Sequence, residues 1–441
     1  MEVKDKVRED DGERQELVLT ITASAEEVDA AADKFFKEVA KRDIPGFRKG
    51  KAPRTVLEQT VGGHVNAMGG VAEQLINDLA FKAIDGADVI FVGEPEFNVD
   101  AQLETGKPFS FTVSGQVAPV MTLTSYEPVS IEMPPEEATE AEIDEQLRQL
   151  QDYYHSFEDI EDPDHEAAMG DYVQAVVTVT NNGRLLPSMN QTNRMIGLGK
   201  GSMPEGFDAQ LVGAKAGEVR EFDFEAKDDE GNAAFGDGNL HAVVEVKGFR
   251  REVLPPIDDA LAVKVGCTDV SDMRDQMRRA INMQKGKDLP KLMVDRVVDA
   301  ALERLDGEVP SYYVDFIRQD VGRELMHSLE KKGTNLQDFL LHNQLDSDDF
   351  KAQVSGEAQR RAAIDCMLEA VFAHEGMEVT DEDIDRMFEG GTAQDQTREA
   401  WEKANRMSDI RKMCRQQKAT RWLVDNAQVT VVDASDEAAG K

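Results

Sequence analysis

One basic stretch of the chain, residues 41–54, carries the residue types and spacing best suited to a specific interaction. It reads KRDIPGFRKGKAPR and holds six basic residues and one acidic residue, in a chain whose formal net charge is −37. Gly46 and Gly50 let the backbone turn without a Cβ penalty, and Phe47 lies between them. A ring on such a loop suits a partner's pocket, and cations beside it suit phosphates or carboxylates. The cations beside the ring are Arg48, Lys49 and Lys51.

Composition alone leaves a second interpretation of this stretch open. Residues 41–54 would then be a basic turn between two helices, with the Phe47 ring packed back into the core of its own domain. The two interpretations differ in one observable property, because a docking loop exposes the ring and its neighbouring cations on a common surface and a simple turn does not.

By residue type and spacing alone, no other stretch predicts catalysis, a metal site or a cofactor. The sequence Gly197-Leu-Gly-Lys-Gly201 lacks the spacing of a phosphate-binding loop, and the seven histidines show no metal-ligand spacing. The cysteines are odd in number and widely separated, which predicts small apolar side chains in a reducing compartment, with neither a disulfide framework nor a zinc site. The three cysteines are Cys267, Cys366 and Cys414.

The charge balance of 50 basic against 87 acidic residues argues against broad binding to duplex DNA, whose affinity rests on phosphate neutralisation. It favours basic partners, including cationic unfolded chains. The first residues, MEVKDKVREDDGERQ, contain no apolar signal segment, and no apolar run in the chain approaches the ~18 residues of a membrane span. We therefore expect a cytoplasmic protein with no membrane partner.

The elements that must position the basic stretch are predicted by hydrophobic periodicity and helix-start signals. Ser24 and Glu27 form a capping-box pattern, and residues 119–138 hold four prolines typical of an extended linker. The predicted N-terminal elements are a strand at 15–22, a helix from about 25 to 41, a second helix whose first residue is Pro53, and strand-like segments at 88–93 and 109–117.

In the rest of the chain the predicted secondary structure changes twice. A short helix capped by Thr139 and spanning about 139–157 precedes a β-rich region at 171–250, with strands at 172–179, 219–224 and 241–249. Beyond Pro256 the pattern is helical, with an apolar stripe ending before Gly376. A strand-like piece at 427–432 then leads into a polar tail that we expect to be disordered.

The segment Gly46-Phe-Arg-Lys-Gly-Lys-Ala-Pro53 resembles the G-F-R-x-x-K-x-P signature of the trigger factor family. Members of this family are bacterial chaperones that dock at the ribosomal exit tunnel. Further segments resemble the family's FKBP-type isomerase domain, its helical arms and its closing segment. These are GKGSMPEGFDAQLVGAKAGE (199–218), VPSYYVDFIRQDVGREL (309–325), GMEVTDEDIDRMF (376–388) and KATRWLVDNAQVT (418–430). The likeness covers about residues 12–432.

This resemblance implies a role for each residue of the basic stretch. Phe47, Arg48 and Lys49 match the family's ribosome contacts, which reach a ribosomal protein at the tunnel rim and nearby rRNA. The residues that would hold the shape of the loop are Gly46, Gly50, Lys51 and Pro53. Nascent and unfolded polypeptides are the implied clients, and a homodimer of the free protein stays open.

The isomerase-like segment departs from the family pattern. Prolyl isomerisation needs a dry pocket that stabilises the twisted amide, and the resemblance implies that aromatic side chains build it. Phe207 matches the pocket floor and Met203 lies near it. Other aromatic positions correspond to Val179, Leu186-Pro187 and Val243, while Phe235 is a candidate replacement. We expect a preserved fold with little or no turnover.

The resemblance implies a multidomain α+β protein with an N-terminal α+β ribosome-docking domain, a small β-rich FKBP-like domain and an all-helical C-terminal chaperone domain. The predicted boundaries are 1–118 for docking, 119–163 for the linker and connecting helix, 164–250 for the FKBP-like domain, 251–433 for the helical domain and 434–441 for the tail. The predicted function is ATP-independent holding of nascent chains at the ribosome. The alternatives are a stand-alone prolyl isomerase with a helical scaffold and an acidic cytosolic adaptor.

Overall fold

The computed structural model describes residues 2–10, 15–99, 101–186, 191–201, 203–204, 206–225, 239–343, 345–390 and 397–432. The chain divides into two compact units. Among the described residues, the first unit combines 2–134 with 289–432, and the second comprises 135–288. The predicted disordered tail, and also Pro187 and Phe235, lie outside the described residues.

The N-terminal part of the first unit is a four-stranded antiparallel sheet in the order β1-β2-β4-β3, with helices packed on it. Alternation in β2 buries Leu17, Leu19 and Ile21, and the predicted capping box of Ser24 and Glu27 starts the first helix. The elements are β1 (Glu2–Asp10), β2 (Gln15–Ala23), α1 (Ala25–Ala40), α2 (Arg54–Thr60), α3 (His64–Gly86), β3 (Glu96–Asn98), β4 (Phe109–Gln116) and β5 (Ser130–Met133).

Three details of this region differ from the sequence prediction. The segment 88–93 forms one isolated bridge, Phe91 to Val117, because Gly93 turns the chain at φ +89° and β3 pairs with β4 instead. Strand β1 was not predicted, since seven of its nine residues are charged and no apolar alternation marks it. Pro53 is the residue before α2 and does not form its first turn.

The proline-rich stretch 119–138 is extended, but it is more than a linker. Its segment Ser130–Met133 is β5, which pairs in parallel with β12 (Gln428–Val431) near the end of the chain. Val129, Ile131 and Met133 are buried in the core of the first unit. The alternation of apolar and polar residues from 129 to 133 explains this burial.

The second unit contains a six-stranded sheet in which every described pairing is antiparallel. Its longest strand, β11, pairs with β10, β7 and β6, so one strand organises the sheet. The elements in order are α4 (Glu140–Tyr153), β6 (Ser156–Asp159), β7 (Tyr172–Asn181), β8 (Arg184–Leu185), β9 (Gln191–Gly197), α5 (Phe207–Leu211), β10 (Val219–Glu225), β11 (Asn239–Val253) and α6 (Asp259–Lys264). The predicted strands of this region and the Thr139 cap are confirmed. The helix predicted to reach residue 157 ends at Tyr153, because residues 156–159 pair with β11 as strand β6.

The remaining chain is helical until β12, as predicted. The stripe that includes Met367, Leu368 and Val371 is buried, and Gly376 ends its helix at φ +60°. The elements are α7 (Val270–Leu302), α8 (Ser311–Lys331), α9 (Leu336–His342), α10 (Ser347–His374), α11 (Asp381–Gly390), α12 (Arg398–Lys403) and α13 (Met407–Asn426). Within the described ranges, no helix is both long and apolar enough to cross a bilayer. The multidomain α+β class is confirmed.

Candidate functional sites

The basic stretch forms a closed loop between α1 and α2. The Gly50 N–H donates to the Ala40 carbonyl at 2.9 Å and so joins the two ends of the loop. Inside it, the Phe47 N–H donates to the Ile44 carbonyl at 3.1 Å. Gly46 and Gly50 adopt φ values of +87° and +80°, a region in which glycine carries little steric cost. The loop shape therefore depends on its two glycines and on local backbone hydrogen bonds.

The base of this loop is attached firmly to the core. Ile44 is only 6% exposed, and Leu57 of α2 is buried in the same apolar cluster. The Arg54 guanidinium lies 4.6 Å from the centroid of the Phe36 ring, and its Nε donates to Glu58 Oε1 at 3.3 Å. Because its base is fixed, the loop presents its tip in a defined direction.

The tip of the loop is open to solvent. Phe47 is 41% exposed. Within the described residues, none of the loop cations apart from Lys41 and Arg54 forms an ion pair with a carboxylate. These unpaired, exposed cations are Arg42, Arg48, Lys49 and Lys51. The tip thus combines one apolar ring with positive charge that no neighbouring group neutralises.

The structure brings the predicted loop residues together. Gly46, Phe47, Arg48, Lys49, Gly50 and Lys51 occupy consecutive positions of the exposed tip, and Pro53 sits where the loop enters α2. The interpretation in which the ring packs back into its own core does not describe this geometry. An apolar plug flanked by cations is suited to a partner with a small pocket in an acidic surface.

The second predicted site lies in the six-stranded unit and has the opposite character. Phe207 is 0% exposed, and Met203 is also buried. The Phe207 ring centroid lies 5.1 Å from that of Phe222 and 5.1 Å from that of Phe224, in edge-to-face geometry in both cases. Phe207 is therefore a core residue of this arrangement.

Sequence reasoning missed Phe222 and Phe224, although the alternating segment REFDFE of β10 signals two rings on one strand face. At the aromatic positions that the family resemblance implied, Val179 is buried and Leu186 packs against the core. Val243 lies on the other face of β11 from the buried Val244. The rings that contact Phe207 of α5 thus come from β10.

A cleft of about 750 Å³ opens in the first unit between the N-terminal segments and helices α8, α10 and α13. Its walls are largely apolar, and the rings of Tyr126 and His374 stack at one side with centroids 3.7 Å apart. Burial raises the pKa of the Cys366 thiol to about 12, so this cysteine stays protonated at neutral pH. Burial also raises the pKa of Tyr313, whose hydroxyl donates to Asp365 at 2.9 Å. The cleft therefore offers a largely apolar surface, and the Cys366 thiol on its wall is not a thiolate at neutral pH.

Comparison with known proteins gives consistent matches along the chain. Residues 5–150 match the family model described as bacterial trigger factor protein, and residues 269–425 match the model of its C-terminus. The trigger factor of Moorella thermoacetica is 30% identical over 385 residues, covering 86% of this chain and 84% of the relative. That of Natranaerobius thermophilus is 29% identical over 432 residues, covering 96% of each chain. The Desulforudis audaxviator protein is 28% identical over 434 residues, covering 96% of this chain and 98% of the relative.

A solved structure of a trigger factor chaperone aligns with 96% of this chain and 99% of that chain, at a TM-score of 0.41 and 19% identity. The assignment rests on the sequence matches, which extend over both the N-terminal and the helical regions. They do not favour a stand-alone isomerase or an adaptor. The chain therefore belongs to the trigger factor family of ribosome-associated chaperones.

Proposed function

We propose that loop 41–54 is the element that docks this chaperone on the ribosome. Phe47 inserts into a pocket of a ribosomal protein at the exit-tunnel rim, and Arg48 and Lys49 contact that protein and neighbouring rRNA. The observation that carries the proposal is the exposure of Phe47, at 41%, among cations that have no ion-pair partner within the described residues. Gly46, Gly50, Lys51 and Pro53 shape the loop.

The docking contact allows the client contacts to remain weak. A chaperone that binds unfolded chain tightly opposes folding by mass action. Anchoring beside the emerging chain supplies a high effective concentration of the binding surfaces, so many weak contacts suffice. The net charge of −37 adds a preference for basic segments of clients.

Co-sedimentation with ribosomes tests the docking proposal. The variant Phe47→Ala/Arg48→Ala/Lys49→Ala should lose pelleting by at least about 10-fold, as expected when an interface loses its central anchor. A matched control is Phe81→Ala/Lys82→Ala, which removes an exposed ring and an exposed cation from helix α3. Equal pelleting of the triple variant and the control would rule out docking through this loop.

For the second unit, we propose a chain-binding domain with weak or no prolyl isomerase turnover. Support comes from Val179 and Leu186, aliphatic residues at positions where the family resemblance implies aromatic ones, and from the full burial of Phe207. The test is refolding of a proline-limited substrate, whose uncatalysed phase takes about 10–100 s. An acceleration that is lost in Phe207→Leu would contradict the proposal and would make Phe207 and Met203 a working pocket.

The proposed domain boundaries are those given by the sequence, at residues 118, 163, 250 and 433, and the proposed location is the cytoplasm.

For the free protein we propose a homodimer. The net charge of −37 weakens this dimer, because the two like-charged copies repel each other. Because salt screens such repulsion, the dimer fraction should rise between low and moderate ionic strength. Sedimentation equilibrium measures this fraction directly, and a monomer at every salt concentration would exclude the dimer.

A further inference from the structure

Two acidic residues at the end of α3 lie where they disfavour their own helix. Asp85 occupies the last turn of α3 and Asp88 lies just beyond it, close to the negative end of the helix dipole. No basic residue in that turn compensates them. Asp88 also adopts φ +56°, a region that non-glycine residues rarely enter. This placement has no benefit within the helix, so its explanation lies in the groups that the two side chains contact.

Asp85 caps another helix. Helix α13 begins at Met407, and its preceding residue Arg406 provides no side-chain cap. Asp85 Oδ1 accepts the backbone N–H of Ser408 at 2.6 Å, across 323 residues of sequence. A carboxylate at this end of α13 meets the positive end of the helix dipole and satisfies an otherwise free amide.

Asp88 lies between two arginines of the same helix. Its Oδ1 is 2.6 Å from Arg411 Nε, and its Oδ2 is 2.6 Å from Arg415 Nη1. Arg411 Nη2 also reaches Asp85 Oδ1 at 3.2 Å, and Arg415 Nε lies 3.0 Å from both carboxylate oxygens of Glu369 on α10. The side chain of Arg415 is only 17% exposed, so salt screens this network less than a surface pair.

We propose that Asp85, Asp88, Arg411 and Arg415 form a latch that fixes the N-terminal layer (β1–β4 and α1–α3) on the helical layer of the first unit. The latch positions the docking loop relative to the helices that hold clients, so that one defined surface faces the emerging chain. Its residues act as positioning residues, and two of them, Asp88 and Arg415, also lie on the wall of the cleft in the first unit. The structural part of this inference is independent of the docking proposal, whereas its effect on ribosome-bound clients rests on that proposal.

Hydrogen exchange of the full chain tests the latch directly. In Asp85→Ala/Asp88→Asn, which removes the acceptor of the Ser408 N–H and keeps a residue type that suits the backbone at 88, the amides of Ser408 and the first turn of α13 should exchange at least 10-fold faster. The matched control is Asp78→Ala on the exposed side of α3, where the ion pair with Lys34 is local to the N-terminal layer. Unchanged exchange at Ser408 would overturn the latch. So would equal acceleration in the α10 core at 362–372, since that would reveal general destabilisation.

A double-mutant comparison and a functional readout complete the test. Arg411→Gln/Arg415→Gln should reproduce the effect on Ser408, and combining it with the changes at Asp85 and Asp88 should add less than 2-fold, because the groups act as one unit. Fully multiplicative effects would contradict a shared latch. On ribosomes, the Asp85→Ala/Asp88→Asn variant should pellet like the wild type but crosslink to a nascent chain at least 3-fold less. Normal crosslinking would show that the latch does not position the client-binding helices, whereas the separate Phe47 variant reports on docking itself.

Discussion

The molecule contains the dipeptide Gly-Phe at two predicted sites, and the two copies behave in opposite ways. Gly46 and Gly206 both adopt φ +87°, yet Phe47 is 41% exposed and Phe207 is 0% exposed. After Phe47 come Arg, Lys and Gly, which continue a solvated loop. After Gly206 comes the helix Phe207–Leu211, which packs on the rings of β10. Whether the ring is exposed or buried thus depends on the residues after the dipeptide, and of these two rings only that of Phe47 is accessible to a partner.

The largest expected effect tests burial. Phe207→Ala should destabilise the second unit by about 3–5 kcal/mol, because it empties a fully packed position, whereas Phe47→Ala should cost less than about 0.5 kcal/mol. Urea unfolding of the full chain, combined with hydrogen exchange in β7 and β11, measures both changes. Similar costs for the two variants would mean that the two rings do not differ in burial.

The next test measures ribosome binding in place of stability, and here the exposed ring should matter more than the buried one. Phe47→Ala alone should weaken ribosome binding by about 10-fold, as loss of a central aromatic anchor does. Phe207→Leu, chosen because it keeps a large apolar side chain in the core, should leave ribosome affinity unchanged. The measurement is a binding titration on purified ribosomes, and a loss of affinity with Phe207→Leu would contradict the division of roles between the two rings.

The two glycines sharpen the same contrast. A Cβ added at Gly46 or at Gly206 meets no atom within 4 Å, so Gly46→Ala and Gly206→Ala introduce only backbone strain, about 1 kcal/mol each. At Gly206 the strain should lower stability, and at Gly46 it should lower ribosome affinity by a few-fold. Gly69→Ala is the control, since its helical site is also open and alanine should stabilise it by roughly 0.5–1 kcal/mol. The interpretation fails if Gly46→Ala destabilises the core and leaves docking intact.

The smallest expected effect concerns a cation outside the signature. Arg42 is exposed and lies at the start of the loop, so Arg42→Gln should slow association about 2-fold and reduce its salt dependence. Arg48→Gln, beside the ring, should have the larger effect. Stopped-flow association at two salt concentrations separates the two variants. An equal effect of both would mean that Arg42, at the start of the loop, contributes as much to association as Arg48 beside the ring.

Local signals predicted most elements of this fold. The alternation around Leu19 and the capping box at Ser24 gave the right elements, since burial of one face and satisfaction of free amides act over a few residues. The same signals failed at β1, because its charged sequence shows no apolar alternation although it pairs with the neighbouring β2. They also failed at 88–93, where the chain forms only the single bridge from Phe91 to Val117. Strand β5 was obscured by its proline-rich surroundings.

The candidate sites show the same limit. The shape of loop 41–54 is set by nearby residues, so the glycines and charges in sequence order predicted an exposed basic loop. The partners of Phe207 and Asp88 were not predicted. The rings of Phe222 and Phe224 meet Phe207 only after the sheet forms, and Arg411 and Arg415 meet Asp88 across more than 300 residues, 323 and 327 respectively.

The pairing of β5 with β12 has a consequence for the biosynthesis of this chaperone. Gln428 N–H donates to the Val129 carbonyl at 2.8 Å, and the Ser130 and Gln428 side chains meet across 298 residues. At about 5–20 residues per second, a ribosome needs roughly 15–60 s to synthesise that interval. Throughout this time β5 lacks its partner strand β12, and its apolar side chains are not yet packed in the finished core. Each new copy of the chaperone therefore passes through an incompletely folded stage with exposed apolar residues, as its client chains do.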